Sequence, residues 1–128
     1  MKQLSFIKGI KAFLITTVLF LACTTSKAYD LVVAKDGTGN YTTVQAALNA
    51  APSASAVPYT IFIKNGKYRE KIIVSKPFIQ LIGESVANTI LYYDDAAANA
   101  GGTSASASIT INGNDFSAYN ITFENTYD

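Results

Sequence analysis

Residues 44–51 carry their apolar side chains at helical spacing, whereas from residue 58 onward apolar residues come in short runs broken by turn-forming polar ones. Val44, Ala47, Leu48 and Ala51 recur at i, i+3, i+4 and i+7, which places them on one face of an α-helix. Thr42 can cap that helix, Gln45 three residues later completes a capping box, and Pro52 stops it. A stripe of small apolar residues on a single helix reads as the cover over one end of a core. Ahead of it, residues 31–34 form a short apolar strand closed by the turn around Asp36, Gly37 and Gly39.

Six β runs follow, at 59–63, 71–74, 78–82, 89–93, 108–112 and 119–124, with no second helix expected between them. Asn65-Gly66, Lys76-Pro77, Gly83-Glu84 and Asn112-Gly113 punctuate them as turns. Short strands of this kind suit either an antiparallel sandwich or a solenoid of parallel strands. Ile61-Phe62-Ile63 and Ile72-Ile73-Val74 are apolar on consecutive residues rather than alternating, and a small-faced helix suits the open end of a solenoid. The pattern therefore favours an all-β solenoid with one N-terminal capping helix. Ile109-Thr110-Ile111 and Ile121-Thr122-Phe123 are two similar triplets, expected to form consecutive sides of one coil.

Residues 1–28 read as a secretory signal peptide. A basic start (Lys2, Lys8, Lys11) precedes an apolar run over 12–23, and Ser26-Lys27-Ala28 supplies the small-x-small cleavage site. The run is about 12 residues against the roughly 20 that a membrane span needs, so no permanent transmembrane anchor is expected. Phe20-Leu21-Ala22-Cys23 also approximates a lipoprotein signal in which Cys23 would be lipidated. The expected location is accordingly secreted or periplasmic.

Composition narrows the chemistry. With 49% hydrophobic and 15% charged residues over 128 positions, the chain suits one folded domain and excludes a two-domain enzyme. It has no histidine and a single cysteine, which removes Ser-His-Asp triads, Cys-His pairs, His/Cys zinc sites and disulfide frameworks. The formal charge of +1 arises in the leader, which holds four lysines and no acid; the rest carries six basic and nine acidic side chains, a balance of −3. No nucleic-acid surface is expected.

Four segments taken together resemble one family: 33–47 (Val-Ala-Lys-Asp-Gly-Thr-Gly-Asn-Tyr-Thr-Thr-Val-Gln-Ala-Ala), 61–70 (Ile-Phe-Ile-Lys-Asn-Gly-Lys-Tyr-Arg-Glu), Leu81-Ile82-Gly83-Glu84, and Asn120-Ile121-Thr122-Phe123-Glu124-Asn125. In order and spacing they are similar to the N-terminal part of the pectin methylesterases. The leader and the Tyr-Arg-Glu-Lys and Gly-Thr-Ser wording resemble bacterial members. The resemblance implies a right-handed parallel β-helix over 29–128, incomplete at its C-terminal end, with a helix over its N-terminal end. It further implies hydrolysis of methyl esters of galacturonate units in pectin, no cofactor or metal, and a monomer. An aspartate nucleophile, a second aspartate as acid/base, glutamines at the oxyanion and an arginine holding the nucleophile would do the work. All of these follow the Asn120–Asn125 motif in the family, so no catalytic residue is expected in this chain, which by itself should be inactive. Two rival readings are a non-catalytic carbohydrate-binding β-helix module and a lyase-type β-helix needing calcium on clustered carboxylates; the ordered motifs do not match the latter.

One binding residue carries over. Thr103, in the Gly-, Ala- and Ser-rich stretch 96–108, matches the threonine with which the family contacts pectin, with Ser104 and Ser106 as its neighbours. No base is present to activate either serine. Asp94-Asp95 invites an acid/base reading, but adjacent residues of an extended strand face opposite ways, so a solvated strand end is expected. Gly37-Thr38-Gly39 lacks the third glycine of a dinucleotide site, and Gly83-Glu84-Ser85 lacks the closing glycine of a nucleophile elbow; both read as turns. Lys64, Lys67, Arg69, Lys71 and Lys76 read as the solvated face of a coil. Asn120 and Asn125 read as structural asparagines that stack between coils. The Asn40 and Asn120 sequons are given no role. Tyr41, Tyr59, Tyr68, Tyr92, Tyr93 and Tyr119 are candidate sugar-stacking surfaces, with partial burial as the default for each.

Overall fold

The structure, a computed structural model, describes residues 28–102 and 104–127. Residues 1–27, Cys23 included, Thr103 and Asp128 lie outside the described residues. The elements run β1 (Leu31–Val33), α1 (Val44–Ala50), β2 (Tyr59–Ile63), β3 (Gly66–Arg69), β4 (Ile72–Val74), β5 (Ile79–Gly83), β6 (Thr89–Tyr93), α2 (Ala97–Ala100), β7 (Ile109–Ile111), β8 (Ser117–Tyr119) and β9 (Thr122–Asn125).

Every ladder between these strands is parallel, and none joins strands that follow directly along the same coil. Three sheets result: β1-β2-β5-β8, β3-β6-β9 and β4-β7. One coil is β2-β3-β4, the next is β5-β6-β7, and a third contributes β8 and β9. This is a parallel β-helix, and the antiparallel sandwich is excluded. Register stacks like on like: Ile61 sits between Leu31 and Leu81, and Leu81 is followed by Ala118. Ile61, Ile63, Tyr68, Ile72, Val74, Leu81 and Leu91 fill the bore and are buried. Burying such side chains contributes about 1.5–3 kcal/mol each, which is how three-residue strands hold together as a core.

Helix α1 takes the place of the last two sides of a coil. It buries Val44, Ala47 and Leu48 and packs against β1 and β4, closing the end of the bore. Its cap is Thr43, one residue later than the sequence suggests: the Thr43 hydroxyl accepts from the Ala46 N–H at 3.3 Å. Gln45 is therefore not the second half of a capping box. Ala51, ahead of Pro52, is extended at φ −64° and ψ 152°, as the proline ring requires of its predecessor.

The expected strands 59–63 and 89–93 match β2 and β6, and the others shift or shorten by a residue or two. Three expectations are corrected. Residues 66–69 form β3, although only Tyr68 is apolar there, because pairing with β6 imposes the extended form. The run 119–124 is broken at Asn120, whose φ of 55° turns the chain between β8 and β9. The Ile109 and Ile121 triplets are not consecutive sides, since β8 intervenes. A single turn, α2, also stands where only a loop was expected.

The corners repeat as the strands do. Phe78 and Asp115 occupy equivalent positions one coil apart, each at φ 55°, and the Phe78 N–H donates to the Asn114 carbonyl at 2.9 Å. Gly83 lies directly beneath Asn120, where any Cβ would come within 2.1 Å of the Asn120 carbonyl oxygen.

Candidate functional site

In the first coil the chain passes from β3 to β4 in two residues, but after β6 it makes an excursion over 94–108 before β7 begins. The rung lengthens in consequence: Ile61 pairs with Leu81 twenty residues on, whereas Leu81 pairs with Ala118 thirty-seven residues on. Thr103 lies within this excursion in sequence but outside the described residues. Ser104 is exposed and Ser106 half-buried.

The stem of the excursion is held by charge. Asp94 accepts from Arg69 at 2.5 Å and Asp95 from Lys71 at 2.8 Å. The Arg69 guanidinium lies 4.9 Å from the centre of the Tyr93 ring and the Lys71 ammonium 5.5 Å from it, so both cations also meet an aromatic face. Asn125, on β9, donates from Nδ2 to the carbonyls of Asp95 and Ser106, at 3.4 Å each. The structure thus gives the acidic pair two separate basic partners, not a shared acid/base role, and both are more than the solvated strand end expected.

The remaining sequence candidates resolve into structure. Asp36 closes the Gly37 turn: its carboxylate accepts from the Thr38 N–H at 3.0 Å and the Thr38 hydroxyl at 2.6 Å, which holds its pKa below the usual 3.8. Glu84 accepts from the Asn65 N–H at 2.8 Å, and Ser85 and Thr89 donate to the Asn65 side-chain oxygen at 3.2 Å each, so the Gly83-Glu84-Ser85 segment is a corner. Asn65 carries that corner network, a role the sequence reading gave to Asn120 and Asn125. The basic residues are not simply a solvated face: Lys76 donates to the carbonyls of Asn49 and Ala51 at the end of α1, and Lys64 to Thr38 at 3.1 Å.

Among the tyrosines, Tyr68 is buried and Tyr119 is 53% exposed. Burial pushes the phenols of Tyr59 and Tyr68 above the ordinary 10. Tyr92 and Tyr93 are half-buried beside the stem. Glu70 and Asn65 are the structurally important polar residues that sequence reasoning missed, whereas Asn125, read as structural, does bond across coils. Their partners lie on other coils, and no local pattern announces them.

The stem of the excursion thus brings together two cations, the Asn125 amide and the Tyr93 ring. The described residues form a parallel β-helix with a long excursion over 94–108. The profile described as Pectinesterase matches residues 30–128, and the chain belongs to the pectinesterase family. It is 42% identical over 102 residues to "Probable pectinesterase/pectinesterase inhibitor 19" of Arabidopsis thaliana, a match covering 78% of this chain and 20% of that protein. Among solved structures it is similar to pectin methylesterase PemA from Erwinia chrysanthemi, with a TM-score of 0.73, 33% identity, and coverage of 80% of this chain and 32% of that one. It is equally similar to a pectin methylesterase in complex with a hexasaccharide, with a TM-score of 0.72, 34% identity, and coverage of 80% and 32%. The chain thus spans about a fifth of the length of the curated relatives it matches. No helix among the described residues is long and apolar enough to cross a membrane.

Proposed function

We propose that residues 29–128 are the N-terminal part of the catalytic β-helix of an exported pectin methylesterase of bacterial type, with residues 1–28 as its secretory signal. The substrate is methyl-esterified homogalacturonan, and the products are methanol and pectin carboxylate. The observation that carries this reading is the family match across the whole β-helix, joined to the likeness to a pectin methylesterase solved with a hexasaccharide.

In the chemistry implied by the family, an aspartate carboxylate adds to the ester carbonyl while glutamine amides hold the oxyanion. A second aspartate protonates the departing methoxide as methanol, and water then opens the acyl intermediate. The described coils provide the capped scaffold and one edge of the groove, with the 94–108 excursion and Thr103 contacting the polymer.

The test is to run purified 29–128 chain through gels containing methyl-esterified pectin and to assay methanol release in parallel. Retardation without methanol is the expected result. Methanol release would overturn the assignment of the catalytic groups to family segments beyond Asn125, and migration unaffected by pectin would overturn polymer recognition by these coils.

A further inference from the structure

We propose that Arg69, Lys71 and Asn125 form a clamp that positions the 94–108 excursion for contact with pectin. The inference rests on the function proposed above. The excursion belongs to the second coil, but its stem is gripped from the coils on either side. From the preceding coil, Arg69 and Lys71 reach Asp94 and Asp95 at 2.5 and 2.8 Å. From the following coil, the Asn125 amide spans the two limbs of the stem, donating to Asp95 on the outgoing limb and Ser106 on the returning one.

Three features argue for positioning over anion binding. Each cation already meets a carboxylate of this chain, so the stem is electrically balanced and offers a polyanion no net attraction. Tyr93 lies beneath both cations, which limits the directions they can take. The two Asn125 hydrogen bonds close a loop of ten intervening residues, 96–105, rich in Ala, Ser and Gly, whose composition supplies no rigidity of its own. Asn125 is thus a positioning residue that acts through backbone carbonyls and touches no substrate.

The experiment uses the 29–128 chain and reads two quantities: amide exchange in peptides covering 94–108, with peptides from β2 as the internal reference, and retardation by methyl-esterified pectin. Asn125→Asp removes both donors, and Lys71→Glu reverses one ion pair; each should speed exchange in the excursion and weaken pectin retention by about fivefold, with β2 unchanged. The swap Lys71→Glu with Asp95→Lys restores the ion pair, and both readouts should recover. Unchanged exchange in both single variants would overturn the clamp. Faster exchange with undiminished pectin retention would overturn its part in recognition. Wild-type chain that binds no pectin would overturn the proposed function and that part together, while the exchange readout still decides the clamp.

Discussion

The side-chain amide of Gln45 faces the backbone of Ile73 as a neighbouring strand would. Its Oε1 accepts from the Ile73 N–H at 2.9 Å and its Nε2 donates to the Ile73 carbonyl at 3.1 Å. The helix covering the bore has no strand edge to offer β4, and one glutamine supplies the missing pair of ladder bonds. Edge groups left open in this way would invite pairing with other chains.

Replacement of Gln45 therefore probes how the cap is tied to the first coil. Gln45→Ala should lower the stability of the 29–128 chain by about 1–2 kcal/mol, because two hydrogen bonds go and water replaces them only in part. Gln45→Glu keeps the acceptor and loses the donor, and should fall between the two. Urea midpoints at matched m-values measure the order, and equal midpoints for all three proteins would refute the strand-like role.

Glu70 caps the same helix from the adjoining coil. Its two carboxylate oxygens accept from the Val44 N–H at 2.9 Å and the Gln45 N–H at 3.0 Å, at the positive end of α1. Glu70→Ala should cost about 1–2 kcal/mol, the range of a lost N-cap, while Thr43→Ala should cost about 1 kcal/mol. If Thr43→Ala proves the more damaging, the long-range cap is the lesser one. The comparison is made by urea denaturation followed by circular dichroism.

These contacts mark the boundary of what could be read from sequence. Helix α1, β2 and β6 were legible because their apolar spacing is local, and the consecutive apolar residues of Ile72-Ile73-Val74 already suggested parallel strands. Strand β3 was not legible, since Gly66-Lys67-Tyr68-Arg69 shows one apolar residue and owes its form to the register with Thr89–Tyr92. Thr42 and Thr43 are equal candidates for a cap by residue type; only the inward face of Val44 decides between them. The excursion announced itself by composition, but Arg69, Lys71 and Asn125 converge on its stem only after the chain has made successive coils.

Corner glycines separate two physical causes. Gly83 has no room for a Cβ, which would lie 2.1 Å from the Asn120 carbonyl oxygen and 2.9 Å from Ile121 Cγ1. Gly37 has open space but sits at φ +81°, where an L residue pays mainly backbone strain. Gly83→Ala should thus cost about 2–3 kcal/mol or prevent folding, and Gly37→Ala about 1–2 kcal/mol. Thermal melts of the two variants decide the order, and a Gly83→Ala protein as stable as wild type would show that successive coils can separate at this corner without penalty.

Tyr68 makes the fold sensitive to alkali. Its ring is buried, its O–H donates to the Lys64 carbonyl at 2.8 Å, and burial first, then the nearby carboxylates of Glu70, Asp36 and Glu84, raises its pKa above 10. The unfolded phenol ionises at its ordinary pKa, whereas the folded one holds its proton to higher pH. The stabilisation is therefore complete below pH 10 and is lost as pH climbs through the folded pKa. Tyr68→Phe removes this liability together with the hydrogen bond: it should be about 1 kcal/mol less stable near neutrality and lose less on going from about pH 8 to about pH 11. Tyr59 is shifted in the same direction, so a residual slope should survive in the variant. Urea midpoints at the two pH values measure both effects. Parallel losses in wild type and Tyr68→Phe would mean that the buried phenol does not control the alkaline limit.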